Sequence, residues 1–137
     1  MSEPAPPRGG ILIVDDEPGN VLVLEHLLEL AGYQNVHSTT DPTEVQGLYR
    51  ARRPDLILLD LHMPVLDGFA VMRGLAESSE AGDTPPILVL TADATTASRQ
   101  AALRAGASDF VTKPFEHKDV LARVAALLDA PSVRPQQ

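Results

Sequence analysis

Short, uninterrupted apolar runs recur along this chain at intervals long enough to hold a helix. Ile11 to Val14, Leu56 to Leu59 and Ile87 to Leu90 are continuous runs, and Phe110 to Val111 is a weaker one. Continuous runs, unlike alternating ones, belong to strands buried on both faces, as in parallel sheets. Gln34 to Thr39 is a more polar candidate whose only apolar residue is Val36, which suits an edge strand. The chain therefore repeats a strand and a helix five times. Right-handed crossovers then place helices on both faces, so the expected fold is α/β, a doubly wound five-stranded parallel sheet.

The intervening segments carry helix signals. Pro18 suits a first helical turn, Val21, Leu24, Leu28 and Ala31 share one stripe, and Gly32 is a stop. Asp41 and Pro42 open a second helix that ends near Arg53, ahead of Pro54. A third is predicted from about Asp67 to Glu77, followed by a polar loop from Ser78 to Pro86. A fifth, from about Glu116 to Asp129, sets Val120, Leu121, Val124, Leu127 and Leu128 on one face. The fourth, about Thr95 to Ala105 before Gly106, has Leu103 as its only large apolar residue among alanines. At about 25 cal/mol per Å² of apolar surface it is anchored least, and it is predicted to be the most mobile helix.

The chain has 137 residues, the size of one domain, with 44% hydrophobic and 22% charged residues, as globular domains have. The domain is predicted over residues 10–129, with a flexible tail at 1–9 and a tail or linker at 130–137. Either a stand-alone domain or one cut from a longer chain is expected, and the Pro-rich ends suit the second slightly better. Eleven Lys and Arg against nineteen Asp and Glu leave a net charge of −8, which disfavours direct nucleic-acid and membrane binding. The apolar runs are far shorter than the ~18 residues of a membrane span, and Met1 to Gly10 lacks a signal core. A cytoplasmic location is expected. With no cysteine, the chemistry must use oxygen or nitrogen.

In doubly wound sheets, ligands bind beyond the carboxyl ends of the strands. Here those ends carry Asp15, Asp16 and Glu17, then Asp60, then Thr91, then Lys113. One aspartate alone at such a position is most often a helix cap, but three carboxylates on neighbouring strands repel one another and call for a cation. An all-oxygen ligand set suits Mg²⁺, with Mn²⁺ as a possible substitute, whereas zinc would want His or Cys. His26, His37 and His117 are isolated and read as surface residues. Neither a Ser-His-Asp arrangement nor a glycine-rich phosphate cradle is present.

Four motifs occur in order within the stretch from about Gly10 to Leu128: Val14-Asp15-Asp16-Glu17; Leu59-Asp60-Leu61-His62-Met63-Pro64 with Asp67-Gly68; Leu90-Thr91-Ala92; and Lys113-Pro114-Phe115. Together they resemble the receiver domain of bacterial two-component response regulators, a flavodoxin-like (βα)5 fold. The resemblance implies that Asp60 accepts a phosphoryl group from a histidine kinase or phosphotransfer protein. It implies that Asp16, Asp60 and the His62 carbonyl bind Mg²⁺ directly, with Asp15 acting largely through metal-bound water and Glu17 lying outside that set. Lys113 would pair with Asp60 before reaction and with a phosphoryl oxygen afterwards. Thr91 would hydrogen-bond a phosphoryl oxygen, letting Phe110, here without the commoner tyrosine hydroxyl, turn inward. Lys113-Pro114 resembles the family's cis peptide, and His62 and Asp93 would tune phosphoryl lifetime.

Such a domain would catalyse its own phosphorylation and dephosphorylation without being a conventional enzyme. Its output would pass to an effector domain or protein through the fourth helix, fifth strand and fifth helix, and a homodimer is possible. One alternative is a constitutive binding module of the same fold, against which the intact acidic set weighs. Another is an aspartyl-phosphate phosphatase of the haloacid-dehalogenase type. Those enzymes resemble Asp-x-Asp at the nucleophile, where this chain has His62 two residues after Asp60.

Overall fold

The computed structural model describes residues 10–61, 63, 67–78, 84–92 and 95–129. The tails at 1–9 and 130–137, and the residues His62 and Asp93, lie outside the described residues. The chain alternates β1 (Ile11–Val14), α1 (Pro18–Leu30), β2 (Val36–Thr39), α2 (Val45–Arg52), β3 (Leu56–Asp60), α3 (Gly68–Ser78), β4 (Ile87–Thr91), α4 (Thr96–Ala105), β5 (Asp109–Thr112) and α5 (His117–Asp129). All pairings are parallel, in the order β2-β1-β3-β4-β5. The polar strand β2 is at an edge, and β1, β3 and β4, each fully buried, form the centre.

Alternate residues of each central strand face opposite layers. Ile11, Ile13, Leu56, Leu58, Leu88 and Leu90 pack with Val21, Leu24, Leu27 and Leu28 of α1 and Val120 and Val124 of α5. Leu12, Val14, Ile57, Leu59 and Val89 face Val45 and Tyr49 of α2, Val71, Met72 and Leu75 of α3, and Ala102 of α4. The sheet is thus covered on both sides, as the uninterrupted apolar runs require.

Several local expectations shift. Ala31 is not on the buried stripe of α1; it is the exposed C-terminal cap, and Leu27 is buried instead. The second helix begins as a 3-10 turn over Pro42–Glu44, with the Asp41 carboxylate accepting from the Thr43 amide at 3.0 Å. It closes on Arg53 at φ 48°, because the following Pro54 disfavours the right-handed region. α3 runs through Ser78 rather than stopping at Glu77. Strand β2 starts at Val36 rather than Gln34, and β5 gains Asp109.

Helix α4 starts on a Thr95 cap, whose hydroxyl accepts from the Ser98 amide at 3.2 Å, and ends on Gly106 at φ 123°. Only Ala102 is fully buried along it, while Leu103 is 45% exposed. The one large apolar side chain of this helix therefore does not anchor it.

Candidate functional site

Parallel register brings the strand ends together. Asp60 ends β3 beside Leu90 of β4, and Thr91 ends β4 beside Thr112 of β5. Asp15 follows β1, with its amide donating to the Thr39 carbonyl at 3.3 Å, and Lys113 follows β5, with its amide donating to the Thr91 carbonyl at 2.8 Å. Asp15, Asp60 and Thr91 are buried. The Lys113-Pro114 peptide is cis.

One carboxylate oxygen from each of Asp15, Asp16 and Asp60 lies within 4.8 Å of the other two. This set could hold a metal ion, and its oxygen-only chemistry fits a hard divalent cation. Within the described residues Lys113 is the cation that meets it. Its Nζ is 2.9 Å from Asp15 Oδ2 and 3.7 Å from Asp60 Oδ2. The expected pairing with Asp60 is thus the longer of two contacts, and the shorter goes to Asp15.

Asp15 is held from three sides. Its Oδ1 accepts from the Glu17 amide at 3.0 Å, and its Oδ2 accepts from Lys113 and, at 3.4 Å, from Asn20 Nδ2. The same Asn20 nitrogen donates to Glu17 Oε1 at 3.0 Å. Asn20 was not among the expected residues, although its place in the first turn of α1, three residues after Glu17, is a signal the sequence does contain. Gly68 is also fixed by the site: a Cβ there would stand 2.7 Å from the Asp60 carbonyl oxygen and 2.8 Å from Leu61 Cα. Only glycine lets α3 start so close to the end of β3.

On the far side of β4, Phe110 is buried, and the guanidinium carbon of Arg99 on α4 lies 5.2 Å from its ring centre. No spacing rule links these two residues, so the pair was not readable in advance. Both line an open groove of ≈ 540 Å³ with Phe115, Lys118, Asp119 and Arg123. Arg123 donates to Asp109 at 2.7 Å and to Asp119 at 2.9 Å. These bonds, that to Asp119 foremost, make the guanidinium hold its proton still more firmly than usual. His26 and His117 are exposed, and His37 is half-buried with its Nε2 3.0 Å from Asn35 Oδ1.

The sequence profile of the response regulator receiver domain matches residues 11–125. The chain belongs to this family. Among curated relatives, the receiver domain is similar to the DNA-binding dual master transcriptional regulator RpaA of Synechocystis, 40% identical over 126 residues that cover 92% of this chain and 52% of the relative. It is also similar to the response regulator MprA of Mycobacterium, 43% identical over 86% of this chain and 50% of the relative. The chain spans about half the length of the curated relatives it matches. Among solved structures, the receiver domain of a histidine kinase from Syntrophus aciditrophicus aligns with a TM-score of 0.79 and 32% identity over 95% of this chain and 97% of that one. The receiver domain of a sensor histidine kinase from Pseudomonas aeruginosa aligns with a TM-score of 0.77 and 34% identity over 89% and 98%, and that structure has a magnesium ion coordinated in its active-site cleft.

No helix among the described residues is long and apolar enough to cross a membrane.

Proposed function

We propose that this receiver domain, over residues 10–129, is a phosphorylation-controlled switch in which Asp60 accepts a phosphoryl group from a histidine kinase or phosphotransfer protein. The observation that carries the reading is the meeting of the Asp60 carboxylate with Asp15, Asp16 and Lys113 at one end of the sheet. Membership of the receiver-domain family weighs against the haloacid-dehalogenase alternative. The constitutive-module alternative has no observation in its favour, since every acid and the lysine of the cluster are in place.

A carboxylate is a weak nucleophile, so the reaction depends on alignment and on neutralising charge. An Asp60 oxygen forms a bond to phosphorus as the phosphorus–nitrogen bond of the donor phosphohistidine breaks, and the imidazole leaves with the electron pair. Asp15, Asp16, Asp60 and the His62 carbonyl are the groups that would hold Mg²⁺, or Mn²⁺ in its place. When bound, the ion supplies charge neutralisation for the phosphoryl oxygens. The flexible stem of Lys113 lets its ammonium leave Asp15 and Asp60 for a phosphoryl oxygen. The Thr91 hydroxyl donates to another, and Phe110 repacks in response. Attack of water on phosphorus then releases inorganic phosphate and restores the carboxylate, so the chain catalyses both its loading and its reset.

The output face would be α4, β5 and α5, contacting an effector domain, an effector protein or a second copy. The two named relatives are a DNA-binding regulator and a response regulator about twice as long, which supports an effector domain as the partner. The net charge of −8 argues against this domain contacting nucleic acid or membrane itself, and a cytoplasmic location follows from partnership with a kinase's phosphohistidine.

The test is intact mass after incubation with acetyl phosphate, with and without Mg²⁺, on the wild type and Asp60→Ala. A single phosphate adduct that needs both Mg²⁺ and Asp60 is expected. An adduct that persists in Asp60→Ala, or no adduct and no spectral change with fluoroberyllate, overturns the reading.

A further inference from the structure

The three carboxylates create a problem of orientation as well as of charge. Asp15 is 2% exposed, so its side chain has few waters to fix it and must be held by protein donors. Two of its donors have other duties. The Glu17 amide belongs to the turn that starts α1, and the Lys113 ammonium is shared with Asp60 at 3.7 Å. Asn20 is the remaining one, and its single amide nitrogen reaches both Asp15 Oδ2, at 3.4 Å, and Glu17 Oε1, at 3.0 Å. An amide NH₂ has two donor hydrogens, so it can serve two carboxylates at once. It is also neutral. A lysine in its place would cancel part of the negative charge that draws a cation, and an aspartate would repel both neighbours.

We propose that Asn20 is a positioning residue for divalent-cation binding: its amide ties Asp15 to Glu17, orienting the Asp15 carboxylate without reducing the charge of the acidic site. This inference rests on the assignment of Asp15, Asp16 and Asp60 as the cation site. Residues that orient a metal's ligands set its affinity as well as its place, typically by 10–100-fold.

The experiment titrates MgCl₂ into the wild type, Asn20→Leu, Asn20→Ala and Asp16→Ala, following amide shifts of β1 and β3 by ¹H–¹⁵N NMR, with metal-free spectra and thermal melts alongside. Asn20→Leu keeps the side-chain shape and loses the donors, and Asn20→Ala removes both. The expected result is about a tenfold rise in the Mg²⁺ Kd for both variants, with native metal-free spectra. A Kd within roughly twofold of wild type in both variants, or tighter binding, overturns the role of Asn20. A melt lowered equally with and without Mg²⁺, at unchanged Kd, marks a merely structural residue and overturns it too. If the wild type itself shows no saturable shifts, or Asp16→Ala leaves the Kd unchanged, the cation-site assignment fails, and the proposal falls with it.

Discussion

The guanidinium of Arg99 lies 5.2 Å from the centre of the Phe110 ring and is the described cation–π link between α4 and β5. It matters because α4 otherwise buries fully only Ala102, while Leu103 stays 45% exposed. A helix held by so little apolar area depends on such contacts, and a switch needs an element with two arrangements close in energy. Arg99→Ala is expected to cost about 0.5–1 kcal/mol in urea unfolding, the range for an exposed cation–π pair. It should also increase microsecond-to-millisecond exchange at α4 amides in relaxation dispersion.

The same weak anchoring sets an order of opening. Amides of α4 are expected to exchange with solvent well before those of α1, whose Val21, Leu24, Leu27 and Leu28 are buried. Native-state hydrogen exchange measures this, and equal protection of the two helices would contradict the packing argument.

Glycines separate the site from the scaffold. At Gly68 a methyl group would press on the Asp60 carbonyl at 2.7 Å, so the end of β3 must move. Gly68→Ala is expected to lower stability by about 1–3 kcal/mol and to slow acetyl-phosphate labelling of Asp60. At Gly47, inside α2, a methyl group meets nothing within 4 Å. Gly47→Ala should raise stability by about 0.5–1 kcal/mol and leave labelling unchanged.

Lys113 supports a fold that its acidic neighbours strain. Removing it leaves buried Asp15 without its 2.9 Å cation partner. Lys113→Met is therefore expected to lower metal-free stability by about 2–3 kcal/mol. Mg²⁺ should recover part of that loss, since a ligand bound only by the folded state stabilises it. Thermal melts in chelator and in excess MgCl₂ read both effects.

Tyr33 gives an alkaline signature. Burial, and secondarily the Asp129 carboxylate, raise its phenol above the ordinary value of 10.0. The folded state thus holds this proton more tightly than the unfolded chain does. Its contribution is complete below the ordinary value and is lost as pH rises through the raised one. Tyr33→Phe should flatten the alkaline limb of the stability curve.

The order of elements was legible because hydrophobic periodicity is a local property. Continuous runs at β1, β3 and β4 declared central strands, the lone Val36 declared an edge, and Pro18, Asp41, Thr95 and Gly106 marked helix ends. The strand-end acids and Lys113 were legible for the same reason, since a residue just past a run must stand at the carboxyl edge of the sheet. Distances between those ends were not. Whether Lys113 leans to Asp15 or to Asp60 depends on strand register and on rotamers set by neighbours far apart in sequence, as are Lys113 and Asp15. Contacts made by Asn20 and Arg99 turned on which way a helix faces once packed, which composition does not encode. Gly68 stood in a motif, but its reason lies in the approach of α3 to the Asp60 backbone. Sequence alone determined which chemistry-bearing groups this chain owns and at which edge they gather; only packing decided which of them touch, because close contact is a property of three-dimensional register and not of spacing along the chain.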